Sequence, residues 1–295
     1  MLAGNLLLCR LKIWLYARKS SRDNSQKTVS LVNLRKFSET TSQSSSIIKS
    51  KSVHTRYYST AVKPITHATF DYYLAGLIED GGTIIVPNSE KDSKGRNTYP
   101  SIQIVFGLMD LPLALKVHET LGHGSILRKK SKGVYIFTVN STEGQLKLIN
   151  LVNGKFKTDK IFALYKLIEW YKVKGKNLNP LPKCKKPLNC SSWLAGFIEA
   201  DGHFSIRATE KVTSTKVECK FEICQAKTSI YGSSYQIMKI ISEFLDAPLK
   251  TIRETSLNPQ YRVRTLNRSN LKIISYLKTY PLKEKNIWIL FLEVK

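Results

Sequence analysis

Residues Trp193–Gly202 read Trp-Leu-Ala-Gly-Phe-Ile-Glu-Ala-Asp-Gly, and residues Tyr73–Gly82, 120 positions earlier, read Tyr-Leu-Ala-Gly-Leu-Ile-Glu-Asp-Gly-Gly. In the second copy, Leu194, Phe197 and Ile198 stand at positions i, i+3 and i+4, which is the spacing of one face of an α-helix. The first copy has apolar residues at the same three positions. Each stretch is therefore predicted to form a helix that buries this face.

Small residues occupy the middle of the motif. Ala195 and Gly196 carry almost no side chain, so the backbone of another helix can approach closely at this point. Gly202 is a natural end for the helix, which puts Asp201 at the C-terminal end, where the helix dipole disfavours an anion. A carboxylate in that place is expected to have a cationic partner, and a divalent metal ion is the obvious candidate.

A strand-like run follows each copy, Thr83–Val86 after the first and His203–Arg207 after the second. This paired arrangement resembles the LAGLIDADG homing endonucleases of the single-chain type, which carry two motifs. The resemblance covers roughly Phe70 to Lys295. It implies an α+β fold of two pseudo-symmetric αββαββα halves, with DNA-binding β-sheet saddles and a central pair of LAGLIDADG helices.

The repeat extends beyond the motif to whole domains. Tyr135 and the residues after it match Tyr261 and its successors at an offset of 125 or 126. The predicted first half spans residues 68–173 and the predicted second half spans residues 190–295. Between them, residues 174–189 contain three prolines within eight positions, which argues against a helix or a central strand and predicts a linker.

Within the halves, hydrophobic periodicity predicts the individual elements. Apolar residues at helical spacing predict helices such as Leu111–Leu121 and Tyr235–Leu245. Alternation of apolar and polar residues, with many aromatic and β-branched side chains, predicts strands such as Tyr99–Phe106 and Gln260–Leu266.

The first 58 residues differ in composition from the rest. Fifteen of them are Ser or Thr, Lys and Arg are frequent, and the acidic residues are Asp23 and Glu39 alone. This composition predicts an unstructured leader and is typical of a mitochondrial transit segment, with Arg56–Ser59 resembling a processing site. The alternative is a leader continuous with an upstream reading frame, as in fungal mitochondrial intron frames that resemble this chain. Both interpretations place the protein in the mitochondrial matrix.

The net charge of +25 favours a polyanionic partner, and nucleic acid is the commonest. The apolar run Leu2–Leu15 is interrupted by two basic residues and is too short to span a bilayer, so no membrane association is expected. The five cysteines lack the Cys-x-x-Cys spacing of a zinc site and are interpreted as reduced thiols.

The resemblance assigns a metal-binding aspartate to the eighth motif position of each copy. The second copy has Asp201 there, but the first has Gly81, with the acid one position earlier as Asp80. One helical position corresponds to about 100° of rotation, so Asp80 is expected to point away from the place of its counterpart unless the glycines after it let the helix end unwind. Asp201 and Asp80 are the predicted ligands of Mg²⁺, and the transposition calls double-strand cleavage into question.

Four further residues are catalytic candidates by resemblance. Gln103 and Gln225 are expected on the strands that pass beside the metal ions. Lys160 and Lys285 match basic residues that orient the attacking water or stabilise developing charge. Each pair contributes one residue from either half of the sequence.

Basic residues on the predicted strands are candidates for nucleic-acid binding. Arg262 and Arg264 alternate with Val263, so both side chains leave the same face of the strand. A two-stranded ribbon of this kind fits the major groove, where Arg reads guanine. The remaining candidates have a basic side chain on or beside a predicted strand: Lys216, Lys220 and Arg207 in the second half, and Arg96, Arg128, Lys129 and Lys130 in the first.

The resemblance and the charge together imply a mitochondrial intron-encoded homing endonuclease. It is expected to bind a long asymmetric double-stranded DNA site at an intron insertion point as a monomer, and to hydrolyse phosphodiesters with Mg²⁺. One alternative is an RNA maturase that binds its own group I intron RNA and assists splicing, which Gly81 favours because such proteins tolerate the loss of catalytic aspartates. The other is a catalytically inactive nucleic-acid-binding protein of the same fold.

Overall fold

A computed structural model of the protein describes residues 28–30, 67–210, 215–266 and 268–283. The chain divides into two compact units. Among the described residues, the smaller unit contains 28–30, 205–210 and 215–219, and the larger unit contains the others. None of the described helices is both long and apolar enough to cross a membrane.

The elements repeat in the order helix, two strands, helix, two strands, helix. After the strand β1 (Thr28–Ser30), the first half runs α1 (His67–Gly81), β2 (Gly82–Ile85), β3 (Ser101–Gly107), α2 (Leu111–Leu121), β4 (Ser125–Lys129), β5 (Val134–Val139), α3 (Thr142–Val152) and α4 (Ile161–Val173). The second half runs α5 (Trp193–Asp201), β6 (His203–Glu210), β7 (Thr215–Ala226), β8 (Thr228–Ser229), β9 (Gly232–Ser233), α6 (Tyr235–Leu245), β10 (Leu249–Ile252), β11 (Gln260–Leu266) and α7 (Arg268–Thr279). The predicted α+β fold of two αββαββα halves is confirmed, with β8 and β9 as an insertion in the second.

The strands of the larger unit pair antiparallel. In the first half the order is β2-β3-β5-β4, with Ile104 of β3 opposite Phe137 of β5. In the second half, β11 lies between β7 and β10, so that Val263 is opposite both Ile223 and Leu249. The same central position is therefore apolar in both halves.

Side-chain alternation divides each sheet into two faces. On β3, Ile102, Ile104 and Phe106 are buried, whereas Gln103 and Val105 lie on the opposite face. We call the buried face the helix-facing side and the other the open side. The buried apolar residues of β3 join those of the helices in the hydrophobic core of the larger unit.

Local sequence fixes the ends of several helices. α2 ends at Gly122, whose φ of 73° is in the left-handed region that glycine adopts without steric cost. At the start of α3, the hydroxyl oxygen of Ser141 accepts a hydrogen bond from the backbone N–H of Gly144 at 3.2 Å, which satisfies one of the N–H groups that lack an intrahelical partner.

The two motif helices pack against each other through their glycines. A Cβ atom on Gly76 would lie 2.0 Å from the carbonyl oxygen of Trp193, and one on Gly196 would lie 1.9 Å from that of Tyr73. No Cβ atom fits at such distances from a backbone oxygen, so both positions require glycine. The same contact occurs twice with the roles of the helices exchanged, which is the pseudo-twofold symmetry implied by the repeat.

Most of the predicted leader, residues 1–58, lies outside the described residues. Within it, Thr28–Ser30 forms β1, which pairs antiparallel with Ser205–Arg207 of β6. The prediction of an unstructured leader is therefore wrong for these three residues, since a β-branched Thr-Val pair suits a strand and overall composition does not reveal such a pairing. The predicted linker, residues 174–189, contains no α-helix or β-strand and is described throughout.

Candidate active site

Carboxylates from both motif helices meet at the C-terminal ends of α1 and α5. The side-chain nitrogen Nε2 of Gln225, on β7, donates a hydrogen bond to Asp80 Oδ1 at 2.5 Å and another to Asp201 Oδ2 at 3.5 Å. Asp201 is exposed, whereas Asp80 is half-buried. One amide group therefore gathers both predicted ligand residues into a single cluster.

Asp80 reaches this cluster without unwinding of α1, which remains helical through Gly81. A Cβ atom on Gly81 would lie 3.3 Å from the Cβ of Ala200, so the position of Ala200 faces the end of the other motif helix. Asp80 occupies the equivalent position in the first motif, and the same symmetry turns it toward Asp201. The expectation that Asp80 points away from the site is therefore wrong, because the direction of this side chain is set by the packing of the two motif helices and not by rotation within α1 alone.

Lys160, just before α4, lies against the same end of α1. Its Nζ donates hydrogen bonds to the carbonyl oxygens of Ile78 at 3.1 Å and Gly82 at 2.7 Å, and the residue is 8% exposed. Terminal carbonyls of a helix lack intrahelical donors, and a cation there complements the helix dipole. Burial lowers the pKa of Lys160, while the charges of Asp80 and Glu79 act in the opposite direction. Its role in orienting water stays a prediction.

A buried glutamate from each motif contacts the opposite motif helix. Glu79 Oε2 accepts a hydrogen bond from the indole Nε1 of Trp193 at 2.5 Å, and Glu199 Oε2 accepts one from the hydroxyl of Tyr73 at 2.9 Å. The donor is in each case the first residue of the other motif. Sequence reasoning missed these contacts, although the glutamate that both copies carry two residues before the eighth motif position was an available signal.

Glu79 also accepts hydrogen bonds from the segment that precedes α4. The donors are the backbone N–H groups of Lys157, at 2.9 Å, and Thr158, at 2.5 Å, and the hydroxyl of Thr158, at 2.6 Å. Burial raises the pKa of Glu79, and these hydrogen bonds, led by that of the Thr158 hydroxyl, oppose the rise. The carboxylate therefore attaches the segment that carries Lys160 to the motif helix.

The second half repeats this attachment through Lys283, whose backbone N–H donates to Glu199 Oε2 at 2.7 Å. Lys157 and Lys283 are thus counterparts, at an offset of 126. The predicted counterpart of Lys160 is Lys285, two residues beyond Lys283, and its role stays a prediction. Lys285 itself lies outside the described residues.

Gln103 and Gln225 lie on opposite faces of their sheets. Tyr135 of β5 is opposite Phe106, and its counterpart Tyr261 of β11 is opposite Gln225. Phe106, which is 3% exposed, therefore stands where the second half has Gln225. The prediction that Gln103 lies beside the carboxylates is wrong, because it is three positions from the true counterpart and an odd shift reverses the face of a strand.

The cluster of carboxylates has a composition that suits a hard divalent cation. Mg²⁺ is commonly held by one or two protein carboxylates, with water and phosphate oxygens completing its shell, and Asp80 and Asp201 supply two carboxylates. Among the described residues, no group of three or more His, Cys, Asp and Glu side chains is placed to hold a metal ion. The donor set therefore fits a cation that also binds a phosphate.

A family model described as LAGLIDADG endonuclease matches residues 74–171 and 194–292, which together are more than half of the chain. The chain belongs to this family. Both matched segments begin inside a motif helix, at the leucine that opens its Leu-Ala-Gly sequence, Leu74 or Leu194. The resemblance drawn from the paired motif is thereby confirmed.

Three proteins illustrate what this LAGLIDADG chain is similar to. The intron-encoded DNA endonuclease aI3 of Saccharomyces cerevisiae is 28% identical over 245 residues, which cover 71% of this chain and 59% of that relative. The intron-encoded RNA maturase bI4 of the same yeast is 27% identical over 147 residues, covering 50% of this chain and 20% of the relative. The crystal structure of the meganuclease I-SmaMI bound to DNA has a TM-score of 0.57 at 18% identity, covering 73% of this chain and 85% of that one.

In this LAGLIDADG chain, the second-half sheet presents charged side chains on its open side. Arg262 and Arg264 leave the same face of β11, as predicted. Glu222 of β7, opposite Arg264, accepts a hydrogen bond from Arg264 Nε at 2.5 Å and lies 3.9 Å from Arg262 Nη1. Lys220 follows the same face two residues earlier. Contact of these residues with nucleic acid stays a prediction.

The basic candidates of the first half do not share one face. Lys129 of β4 is opposite Val134 on the open side, whereas Arg128 is opposite Tyr135 on the helix-facing side. Arg128 therefore does not share the open side with Lys129, since adjacent strand residues point in opposite directions, and its contact with nucleic acid stays a prediction. Lys130 is exposed in the turn that follows β4.

Arg96 lies in the loop between β2 and β3, where its guanidinium forms an ion pair with Asp92 at 2.7 Å. Hydrogen bonds from the backbone and then the side chain of Arg96 lower the pKa of Asp92. Arg207 and Lys216 lie on β6 and β7, and their side chains are outside the part of the chain that the structure describes.

Proposed function

We propose that the protein is a mitochondrial intron-encoded homing endonuclease, which binds a long asymmetric double-stranded DNA site as a monomer and hydrolyses phosphodiester bonds with Mg²⁺. The observation that carries this proposal is the convergence of Asp80 and Asp201 on Gln225 at the ends of the paired motif helices. A net charge of +25 and the similarity to an intron-encoded DNA endonuclease support DNA as the substrate.

The proposed active site is one-sided, which means that it has a single carboxylate cluster built mainly from residues of the second half. Asp201 and Gln225 belong to the second half, and Asp80 is turned toward them. The equivalent positions of the first half hold Gly81 and Phe106, neither of which offers a side-chain oxygen or nitrogen. These two residues cannot form a second cluster of the same kind, so the protein nicks one DNA strand and cuts the other slowly or not at all.

The residues have distinct tasks in this proposal. Asp80 and Asp201 would hold the cation, and the chemistry that the bound cation supplies is charge neutralisation at phosphate and a lowered pKa of its water. Gln225 orients both carboxylates by donating from Nε2. Lys160 holds the end of α1, and therefore Asp80, in place.

An RNA maturase is the second candidate. The similarity to an intron-encoded RNA maturase extends over half of this chain. A splicing cofactor that holds intron RNA needs neither carboxylate, so Gly81 and Phe106 are compatible with that activity. Under this alternative the protein binds its folded group I intron more tightly than duplex DNA.

Cleavage of a plasmid that carries the intron-less insertion site tests the proposal. With Mg²⁺, supercoiled plasmid should become nicked circle, with linear product appearing late or not at all. Asp201→Asn should abolish cleavage while leaving gel-shift affinity for the duplex within about twofold. The reason is that the carboxylate is needed to hold the cation and not to bind the duplex. Asp246→Asn, at the exposed C-terminal cap of α6, is the matched control and should cleave normally.

The double change Asp80→Gly with Gly81→Asp takes one carboxylate out of the cluster, and Phe106 supplies no amide to the first half, so nicking should fall without any gain of linear product. Direct conversion of supercoiled to linear plasmid by the unmodified protein would overturn the one-sided site. An absence of cleavage at a verified target, together with tighter binding of folded intron RNA than of duplex DNA, would favour the maturase.

A further inference from the structure

The open side of the first-half sheet carries exposed apolar side chains. Ile85 is 43% exposed, Val105 is 50% exposed and Leu127 is 70% exposed. Ile136 lies between Val105 and Leu127, because it is paired with both. We call these four residues the apolar face. Three of them, Val105, Ile136 and Leu127, lie side by side across β3, β5 and β4, and an exposed apolar patch of this type marks a binding surface or an aggregation liability.

The second-half sheet carries cationic side chains at the positions where the first-half sheet carries apolar ones. Ile136 follows Tyr135 on β5, and Arg262 follows its counterpart Tyr261 on β11, so Arg262 takes the place of Ile136. Leu127 is paired with Ile136, and Lys250 is paired with Arg262. By the same correspondence, Lys250 of the second half occupies the position that Leu127 has in the first. One fold thus presents cations in one half and hydrocarbon in the other.

Polar side chains that can form hydrogen bonds lie among the residues of the apolar face. Gln103 lies on the open side two residues before Val105, and Thr138 is opposite Gln103 on β5. Within strands β2–β5, all of which the structure describes, Lys129 is the one cationic side chain on this side. The open side therefore combines methyl groups, one primary amide and the hydroxyls of Thr83, Ser101, Ser125 and Thr138, with a cation at its edge.

These two sets of side chains fit different base pairs in the major groove. Arg donates to the O6 and N7 of guanine, and Glu accepts from N4 of cytosine, which matches Arg262, Arg264 and Glu222. Gln bonds N6 and N7 of adenine, and apolar side chains contact the methyl group of thymine, which matches Gln103 and the apolar face. The chemistry of each half therefore selects its own type of base pair.

We propose that the first-half sheet reads an A·T-rich half-site through thymine methyl groups, while the second-half sheet reads a half-site that contains G·C pairs. This inference rests on the proposed function, because it takes duplex DNA as the partner. The positive charge beside the apolar face favours duplex DNA over a protein as its partner. Lys129, Lys130 and Lys132 are all exposed at one end of the face, where they can neutralise phosphates.

Replacement of thymine by deoxyuridine tests the inference, since it removes the methyl group and leaves the Watson–Crick edge unchanged. The full chain first selects its site from a pool of randomised duplexes. Deoxyuridine is then placed in one half of the selected site at a time, and affinity is measured by gel shift. In the A·T-rich half we expect about fourfold weaker binding for each contacted methyl group, which corresponds to the free energy of burying one methylene-sized group. In the other half we expect no change in affinity.

Protein variants assign that methyl sensitivity to the apolar face. The double variant Leu127→Ala with Ile136→Ala should bind the thymine and deoxyuridine duplexes equally. Leu115→Ala is the matched control: this leucine is 52% exposed on α2 and away from the sheet face, so the variant should keep the full difference. The deoxyuridine comparison uses unmodified protein, so it does not depend on the folding of any variant.

The outcomes separate this inference from the proposed function. Selection of a defined site that is insensitive to deoxyuridine in both halves overturns the methyl readout and leaves DNA binding intact. Self-association that Leu127→Ala abolishes, with unchanged DNA affinity, shows that a second copy covers the face and also overturns it. Failure to enrich any duplex refutes both the inference and the proposed function.

Discussion

At the junction of the motif helices, Gly76 and Gly196 make the same contact with the roles of the two halves exchanged. On the open sides of the sheets, Ile136 and Arg262 occupy equivalent positions and share no chemistry. Close packing constrains both halves at once, whereas a position on the open side of a sheet is constrained mainly by what it binds. The halves therefore remain alike where they touch and differ where they face outward.

The glycine contact should give the largest effect, and it should be equal in the two halves. Gly76→Ala and Gly196→Ala each place a Cβ atom within 2.0 Å of a backbone carbonyl oxygen. The helices can accept it only by moving apart, so each variant should lower the free energy of unfolding by more than about 4 kcal/mol. Urea denaturation followed by circular dichroism measures this quantity.

Gly81→Ala is the control for that pair. Its Cβ would meet the Ala200 Cβ at 3.3 Å, a contact that a small shift relieves, so the free energy of unfolding should change by less than about 1 kcal/mol. A mild effect of Gly76→Ala combined with a severe effect of Gly196→Ala would show that the interface is not symmetric.

An intermediate effect is expected at the buried glutamates. Glu79→Gln puts an amide NH₂ among groups that all donate, namely Trp193, Thr158 and the backbone of Lys157. A buried donor without an acceptor is costly, and loss of charge-assisted bonds adds to it, so we expect about 3 kcal/mol of destabilisation. Tyr73→Phe removes one donor from Glu199 and should cost about 1 kcal/mol. Equal losses from the two variants would contradict this account of Glu79. Thermal unfolding of both gives the comparison.

The smallest effect concerns the sheet faces. Arg264→Ala should reduce discrimination between guanine and other bases by about 1–3 kcal/mol, measured by gel shift against a panel of singly substituted duplexes. Arg128 is an exposed arginine on the other face of its sheet, so Arg128→Ala should leave base preference unchanged. A uniform loss across the panel for Arg264→Ala would assign that residue to phosphate contact instead.

Sequence patterns predicted the elements well because each pattern is local. The helix Tyr235–Leu245 and the strand Gln260–Leu266 were predicted to the residue. Their apolar spacing follows directly from burying one face of a helix or a strand. The alignment of the two motifs also identified Gly81 as the position that lacks an acid.

Non-local geometry limited the prediction of the site. Asp80 was misplaced because its direction depends on the partner helix, not on rotation within α1. Gln103 was misplaced because the matched glutamines differ by three strand positions, which only the pairing with Tyr135 and Tyr261 reveals. In both cases the missing information was a contact between residues far apart in the sequence.

The interlocked glycines also determine how such a protein can evolve. Gly76 lies against the backbone of the second half and Gly196 against that of the first. A larger side chain at either position therefore disturbs both halves and is selected against. Ile136 and Arg262 take no part in this contact, so under the proposed base readout a substitution at either changes recognition by its own half without disturbing the helix pair. The helix pair is thus the constrained part of the fold, and under the same proposal each sheet can acquire a new base preference independently, one open-side position at a time.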